Sequence, residues 1–287
     1  MTQAITFSLD GEDTCAEAGE SIFDVAKRHG KDLPHMCSGL NDHYRADGNC
    51  RLCIVEIEGE RVLAASCIRQ PTDGMKVWTE SNRVEHSRNT VMELLLADQP
   101  IQDGNITENR FTQMATRMGV GKSRFPSRQG PSHDSSHPAI SVNLGACIHC
   151  TNCVRACRDV QGNDVIGFAY RGANTKVVFD FDVTMGSSTC VSCGECVQAC
   201  PTGALMEKSL LNSESTKREV YPNKVVDSVC PFCGVGCQTS VHLAGNDIVK
   251  VDGRQGPANR GKLCVKGRFG MDYVMSPERL TKPLIRR

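Results

Sequence analysis

Residues 147–157 read Cys-Ile-His-Cys-Thr-Asn-Cys-Val-Arg-Ala-Cys, and residues 190–201 read Cys-Val-Ser-Cys-Gly-Glu-Cys-Val-Gln-Ala-Cys-Pro. Both stretches space four cysteines as C-x2-C-x2-C-x3-C, and each cysteine of the second stretch follows its counterpart by 43 residues. A single zinc ion prefers two separated pairs of ligands, whereas this crowded spacing is typical of [4Fe–4S] clusters. The repeat therefore predicts a module that holds two such clusters.

In runs of this type the fourth cysteine normally ligates the other cluster. We expect one centre on Cys147, Cys150, Cys153 and Cys200, and a second centre on Cys190, Cys193, Cys196 and Cys157. The stretch from 141 to 210 resembles the two-[4Fe–4S] domain of bacterial ferredoxins. The first run continues Cys157-Arg158 instead of Cys-Pro, which leaves its ligands intact.

Sixteen of the seventeen cysteines fall into four sets of four. The two further sets are Cys37, Cys50, Cys53 and Cys67, and Cys230, Cys233, Cys237 and Cys264. Four thiolates are the ordinary ligands of a [2Fe–2S] or [4Fe–4S] centre. The alternatives are four unrelated cysteines or zinc for the first of these sets, and a zinc ribbon for the other. A chain with four clusters is suited to moving single electrons. Cys15 lies outside the sets, and we expect it to be a buried, inert thiol.

Residues 1–80 predict two hairpins and a helix, with the cysteines in loops. Ile5 to Leu9 alternates as a strand does, Asp10-Gly11 is a hairpin signal, and Ser21 to His29 has helical spacing. This pattern resembles the β-grasp [2Fe–2S] ferredoxin. Its spacing of C-x12-C-x2-C-x13-C resembles the N-terminal domain shared by complex I subunits, iron-only hydrogenases and NAD-linked formate dehydrogenases.

Residues 81–140 predict a helical connector and linker. Val84 to Asp98 and Arg110 to Met118 are predicted helices, and Ser123 to Pro138 is a predicted loop. Relatives in complex I carry one histidine and three cysteines here for another cluster, but residues 68–146 contain no cysteine. We expect that cluster to be absent, with Gln99 near the position of the missing histidine. His133 and His137 are expected to be solvated.

The last module, 226–287, contains Cys230-Pro-Phe-Cys-Gly-Val-Gly-Cys237 and, later, Gly261-Lys-Leu-Cys-Val-Lys-Gly267. It closely resembles the start of the catalytic domain of molybdopterin-dependent formate dehydrogenases. This resemblance implies a small β-rich domain that holds a [4Fe–4S] cluster. That resemblance implies that Lys266 lies between the cluster and a pterin and assists electron transfer. A zinc ribbon and an ordinary surface lysine are the alternatives.

The whole chain resembles the N-terminal iron–sulfur portion of the α subunit of cytoplasmic, NAD-linked formate dehydrogenases. An α+β multi-domain fold and an oxidoreductase role are implied, with electrons moving through one [2Fe–2S] and three [4Fe–4S] clusters. The resemblance also implies a molybdenum or tungsten bis-molybdopterin guanine dinucleotide centre in later residues or a separate chain. It further implies a partner diaphorase subunit that binds FMN and NAD. Alternatives are an arm of a hydrogenase or complex I-like enzyme, and a free-standing electron carrier.

The composition argues for neither nucleic acid nor a membrane as a partner. The 287 residues carry 33 basic and 33 acidic side chains, so no excess of positive charge indicates nucleic-acid binding. Apolar runs are too short to span a membrane, and the first residues lack a secretion signal, so we expect a cytoplasmic protein. Hydrophobic residues make up 39% and aromatics 5%, which favours small modules built around clusters.

Overall fold

The computed structural model describes residues 4–38, 43–99, 109–127, 130–211 and 220–285, whose contacts group them into two units. The first unit comprises Met1–Pro131 with Leu144–Arg155, and the second comprises Ser132–Asn143 with Ala156–Arg287. The division falls after Arg155, within the predicted two-cluster module at 141–210.

A mixed sheet and three helices form most of the described part of the first unit. Its strands, in the sheet order β2-β1-β5-β3-β4, are β1 (Ile5–Leu9), β2 (Glu12–Ala16), β3 (Ile54–Ile57), β4 (Ala64–Ala65) and β5 (Lys76–Trp78). β1 and β5 run parallel, while the other neighbouring pairs are antiparallel. The helices are α1 (Ile22–Arg28), α2 (Asn82–Ala97) and α3 (Arg110–Arg117).

The first hairpin forms where Asp10-Gly11 predicts it. Asp10 has φ 52° and Gly11 has φ 87°. A type I′ turn in a two-residue hairpin loop requires positive φ at both of these positions. Alternation along β2 then buries Thr14 and Ala16 and turns Cys15 outwards. The expectation of a buried Cys15 is therefore wrong, because the inward positions of this strand belong to its neighbours.

Local capping sets the ends of α1. Ser21 and Asp24 form a reciprocal capping box at its start, and Gly30, with φ 74°, follows its last turn. The helix buries Ile22 and Val25 against Phe7 and Val77 of the sheet. This packing closes the β-grasp core beneath the loops that carry the first cysteine set.

The connector helices form a second core in the same unit. α2 buries Val84, Arg88 and Met92, which lie one turn apart along one face. Met92 packs with Phe111 and Ala115 of α3 in a cluster that also contains Cys37, Cys50 and Cys150. Both predicted connector helices are confirmed, and together they shield two of the cysteine loops.

Two antiparallel strand pairs and a three-stranded sheet form in the described part of the second unit. Its strands are β6 (Ile140–Val142), β7 (Ile166–Ala169), β8 (Lys176–Phe179), β9 (Leu205–Glu207), β10 (Lys224–Val229), β11 (Gln238–Ala244) and β12 (Asp247–Gly253). β6 pairs with β9, β7 pairs with β8, and the sheet order is β10-β11-β12. β11 and β12 form a hairpin whose turn contains Gly245, with φ 63°.

Short helices carry the cysteine runs. They are α4 (Asn152–Arg155), continued by a π-helical turn (Ala156–Val160), α5 (Glu195–Ala199) and α6 (Val265–Phe269). Five 3₁₀ turns are also found in the described residues, at Leu144–Ala146, Gly172–Asn174, Met185–Ser187, Lys208–Leu210 and Gly270–Val274.

The loop before β6 corrects a second expectation. His137 is 3% exposed, so it is not solvated. Its Nδ1 accepts backbone N–H groups of Ala139 at 3.2 Å and Ile140 at 3.0 Å, and its Nε2 contacts Ser192 Oγ at 3.0 Å. His133 is half-buried, with its Nε2 2.8 Å from Ser141 Oγ. His137 therefore organises the polypeptide instead of facing water, whereas His133 stays partly exposed.

Among the helices in the described ranges, none combines the length and the apolar character needed to cross a bilayer.

Candidate iron–sulfur cluster sites

The first cysteine set comes together in the first unit. Cys37 lies in the loop after α1, Cys50 and Cys53 precede β3, and Cys67 follows β4. The residues are between 1% and 5% exposed. The thiols of Cys37 and Cys50, Cys37 and Cys67, and Cys53 and Cys67 lie within hydrogen-bond reach of each other.

Hydrogen bonds prepare this set to carry negative charge. Met36 N–H lies 3.4 Å from Cys50 Sγ, and Cys50 N–H lies 3.5 Å from Cys37 Sγ. Hydrogen bonds from the thiols of Cys50 and Cys67 hold the pKa of Cys37 well below its ordinary value. Thiolates are the cluster ligands, and N–H donors to their sulfurs stabilise them, so the four residues fit a [2Fe–2S] centre.

A buried cation lies beside this set. Arg88 of α2 is 7% exposed and donates through Nε and Nη2 to the carbonyl of Ile54, at 3.2 and 2.6 Å. Burial lowers its pKa, while the negative charge of Cys53 opposes that shift. The guanidinium therefore fixes the backbone next to Cys53 and offsets thiolate charge.

The two ferredoxin-like runs adopt the same backbone conformation. His149 and Ser192 have φ of 53° and 56°, and Thr151 and Gly194 have φ of 63° and 71°. Each pair is 43 residues apart, and α4 and α5 begin at the same offset. The internal repeat is thus structural as well as sequential, and each loop wraps its first three cysteines alike.

Three thiols of the second run lie near Cys157 of the first run, within the second unit. Burial raises the pKa of Cys190, Cys193 and Cys196, and the negative charge of Cys157 raises all three further. Cys157 Sγ accepts Val165 N–H at 3.3 Å, and Cys190 Sγ accepts Ser192 N–H at 3.4 Å. This arrangement supports the predicted crossed set of Cys157, Cys190, Cys193 and Cys196.

The companion set of the crossed pair has members in both units. Cys150 and Cys153 are buried in the first unit and Cys147 is half-buried, while Cys200 belongs to the second unit, with its Sγ 3.7 Å from Thr202 Oγ1. The set of Cys147, Cys150, Cys153 and Cys200 stays a prediction. Gln99 donates through Nε2 to the carbonyl of Ala146 at 3.1 Å, so an amide fastens the loop just before Cys147.

The fourth set forms beside β11 and α6. Burial raises the pKa of Cys237, and the negative charges of Cys230, Cys233 and Cys264 add to the rise. Cys230 N–H donates to the carbonyl of Cys237 at 2.8 Å, and Cys230 is 8% exposed. Cys233 and Cys264 are exposed. Four neighbouring thiols fit a cluster, with Cys230 buried and with Cys233 and Cys264 open to the surface.

Lys266 lies on α6, two residues after Cys264, and its side chain is exposed. The next residue, Gly267, neighbours the set, because a Cβ there would lie in ordinary contact with Cys230 Sγ, at 3.5 Å. The lysine is therefore adjacent to the fourth set, but its predicted role toward a pterin stays a prediction.

No group of three or more His, Cys, Asp or Glu side chains within the described ranges is arranged around a single metal ion. The ligands of a cluster bind different iron atoms, so they do not converge on one point as the ligands of one ion do.

Sequence reasoning missed Arg268, which links the second run to the last module within the second unit. The residue is 3% exposed, and its Nε donates to the carbonyl of Cys193 at 2.9 Å. Its Nη2 lies 2.7 Å from Gln198 Oε1 and 3.4 Å from Glu195 Oε2. Gly194 leaves room for it, because a Cβ there would clash with Arg268 Cδ.

Family models match three successive parts of the chain. A 2Fe-2S iron-sulfur cluster binding domain matches residues 2–82, a 4Fe-4S dicluster domain matches 146–204, and a molybdopterin oxidoreductase Fe4S4 domain matches 223–276. The predicted order of iron–sulfur domains and the mixed α and β architecture are confirmed.

Relatives of the chain are oxidoreductase components. An NADH-quinone oxidoreductase subunit of Rhizobium meliloti (strain 1021) is 35% identical over 99% of this chain and 33% of its own length. The alpha subunit of the NADPH-Fe(3+) oxidoreductase of Geobacter sulfurreducens (strain DL-1 / KN400) is 30% identical over 98% and 33%. "Putative formate dehydrogenase YrhE" of Bacillus subtilis (strain 168) is 32% identical over 99% and 33%.

Among solved structures, an NAD+-reducing [NiFe]-hydrogenase in the H2-reduced state matches with a TM-score of 0.64 and 27% identity. The match covers 71% of this chain and 87% of the hydrogenase chain. The chain spans about a third of the length of the curated relatives it matches.

Proposed function

We propose that this chain is the electron-transfer arm of a cytoplasmic, NAD-linked formate dehydrogenase that depends on molybdopterin. In this proposal, electrons from formate enter at the set of Cys230, Cys233, Cys237 and Cys264. They leave from the set of Cys37, Cys50, Cys53 and Cys67 toward a partner subunit that binds FMN and NAD. The molybdenum or tungsten site belongs to further residues or to a partner chain.

One observation carries the proposal: a molybdopterin oxidoreductase Fe4S4 domain follows [2Fe–2S] and dicluster domains in the same chain. The Bacillus relative whose name includes formate dehydrogenase matches nearly the whole chain, which supports formate as the donor. This domain order fits a protein that takes electrons near a pterin and passes them to a nicotinamide partner.

The chain itself contributes ligands, a dry environment and fixed charge. Each iron–sulfur cluster supplies one-electron chemistry when bound. The sulfurs of Cys37, Cys50, Cys157 and Cys190 accept backbone N–H donors. Such donors stabilise negative charge on the ligands, and burial around Cys37, Cys53 and Cys196 excludes the water that would otherwise screen it.

A second candidate is an arm of an NADH-quinone oxidoreductase or of an NAD-reducing hydrogenase. The Rhizobium relative and the solved hydrogenase structure favour it. The absence of cysteine between residues 68 and 146 argues against the complex I form, because its additional cluster has no ligands in this stretch. Formate, hydrogen and NADH are therefore the donors that separate these candidates.

The test compares donors in the native complex, together with a Lys266→Met variant and a Lys224→Met control. We expect formate to bleach the cluster absorbance of wild type in stopped-flow mixing, while hydrogen does not. Lys266→Met removes a charge beside the fourth set, so formate-driven bleaching should slow by about tenfold or more, which corresponds to about 1.4 kcal/mol. Dithionite should bleach both variants at the wild-type rate.

Equal rates with formate in wild type and Lys266→Met would show that Lys266 is an ordinary surface lysine. Bleaching by hydrogen or NADH but not by formate would replace the proposed function with the second candidate. Lys224 is an exposed residue of β10, so its replacement matches the charge change at a distance from the cysteines.

A further inference from the structure

At two pairs of equivalent positions in the internal repeat, the side chains contact residues outside the cysteine runs. Asn152 corresponds to Glu195 and Arg155 corresponds to Gln198, each pair being 43 residues apart. All four lie on α4 or α5, directly after a cysteine loop. Asn152 and Arg155 contact the first cysteine module within the first unit, and Glu195 and Gln198 contact the last cysteine module within the second unit.

In the first unit, the contacts run to the loop that holds the first cysteine set. Asn152 Nδ2 donates to the carbonyl of Met36 at 2.9 Å. Arg155 Nη2 donates to the carbonyl of Cys37 at 2.7 Å and to that of Cys150 at 3.3 Å, and Nη1 donates to the carbonyl of Arg45. One guanidinium thus joins ligand residues of two sets.

In the second unit, the same positions meet a cation from the last module. Gln198 Nε2 donates to the carbonyls of Gly253 and Gly261, at 3.2 and 3.3 Å. Arg268 contacts Gln198 and donates through its side chain to the carbonyl of Cys193. Its own helix, α6, begins directly after Cys264, so this side chain connects the second run with the loop of the fourth set. Again one arginine joins ligand residues of two sets.

The two arginines differ in how their charge is balanced. Arg268 has 0% of its side chain exposed and lies 3.4 Å from carboxylate oxygens of both Glu195 and Asp252. The Arg155 side chain is 2% exposed and faces Asp47 at 4.0 Å, and its Nε has no hydrogen-bond partner among the described residues. The positive charge of Arg155 is therefore the less compensated of the two.

We propose that Arg155 and Arg268 are positioning residues for electron transfer, and that each one fastens together the ligand loops of two successive clusters. Arg155 also raises the reduction potentials of the two clusters whose ligands include Cys37 and Cys150. The inference rests on the proposed cluster assignment. Reduction adds one electron, and hence one negative charge, to a cluster. A guanidinium stays protonated at every relevant pH, and in a buried setting its field stabilises that added charge.

The test uses the full-length protein, purified anaerobically with its clusters, in the variants Arg155→Gln, Arg155→Lys and Arg124→Met. Glutamine is the residue that the repeat itself places at the equivalent position, Gln198, so α4 should tolerate it. Arg124 is an exposed arginine of the first unit, with 66% of its side chain exposed, and controls for loss of charge. Iron content is measured first, followed by a dithionite titration monitored by EPR.

We expect Arg155→Gln to keep its iron and to shift the midpoint potentials of the [2Fe–2S] centre and one [4Fe–4S] centre to more negative values. The other two centres should titrate as in wild type. Arg155→Lys retains the charge and should stay close to wild type, as should Arg124→Met. If Arg155→Gln loses iron, Arg155→Met is titrated in its place, because it also removes the charge and the same negative shift is expected.

Unchanged potentials in Arg155→Gln would overturn the charge effect, as would a shift in Arg155→Lys equal to that in Arg155→Gln. A wild-type protein without iron–sulfur signals would instead contradict the proposed function, so the two failures are distinguishable.

Discussion

Three buried arginines, Arg88, Arg155 and Arg268, each donate to the backbone carbonyl of a cysteine ligand or of the residue beside one. They differ in how far the sequence indicates them. Arg88 carries a usable signal, because it lies one turn from both Val84 and Met92 on the buried face of α2. Arg155 and Arg268 carry no such signal, since the carbonyls of Cys37 and Cys193 that they hold are 118 and 75 residues away along the chain. A pattern of residue types cannot show that a carbonyl needs a donor.

Cys15 and His137 illustrate a different limit. The expectation for Cys15 rests on its residue type, although the alternation of β2 turns it outwards. The expectation for His137 rests on the polarity of its loop, although two backbone N–H groups and Ser192 give it buried partners. In both cases the local backbone geometry outweighs composition.

The ion pair between Arg268 and Glu195 provides a prediction at the same scale. Replacing Arg268 by Met removes the cation that lies 3.4 Å from the Glu195 carboxylate, which is 2% exposed. Breaking a buried pair in this way costs about 3–5 kcal/mol, so the urea midpoint for loss of cluster absorbance should fall markedly. Adding Glu195→Gln removes the negative charge that faced Arg268, so it should recover a large part of the lost urea midpoint.

The matched control is Arg254→Met, because Arg254 and Asp227 form an exposed pair, with 38% and 59% of their side chains exposed. That change should cost about 0–1 kcal/mol. A double variant as unstable as Arg268→Met alone would mean that the carbonyl contacts of Arg268, and not its charge, hold the two segments.

At the scale of elements, local signals predict most of the helices and hairpins. The capping box of α1 and the Asp10-Gly11 turn depend on residues a few positions apart, so the sequence contains the whole cause. β10 escapes prediction because all six of its residues are exposed and its sole partner strand in the described residues is β11. An edge strand without a buried face leaves no alternation to detect.

The repeat of cysteine runs gives the element-scale prediction. Cys157 lies next to Cys153 in sequence, yet its charge acts on Cys190, Cys193 and Cys196. Cys157→Ala and Cys193→Ala should therefore remove the same [4Fe–4S] signal from the EPR spectrum of the reduced protein. Cys153→Ala should remove a different one.

If Cys157→Ala and Cys153→Ala abolish the same signal, each run ligates its own cluster, and crossed ligation is wrong. Alanine is preferred to serine in all three variants, because a serine oxygen is itself a potential ligand.

At the scale of the whole molecule, the order of iron–sulfur domains is predictable because each cysteine set carries its own spacing. The three domain matches at 2–82, 146–204 and 223–276 follow that order. The electron donor is not predictable in the same way, because the chain spans about a third of its relatives. The donor is therefore inferred from the last module and from the names of relatives.

The central claim is that sixteen cysteines hold four clusters, and a combined metal and EPR analysis of the anaerobically purified protein tests it most directly. One [2Fe–2S] and three [4Fe–4S] centres predict about 14 iron atoms per chain, with a matching amount of sulfide. On full reduction, four sets of EPR signals should be resolved, one of them with the slow relaxation of a [2Fe–2S] centre. Substantial zinc in place of iron, or a fifth cluster signal, would contradict the assignment.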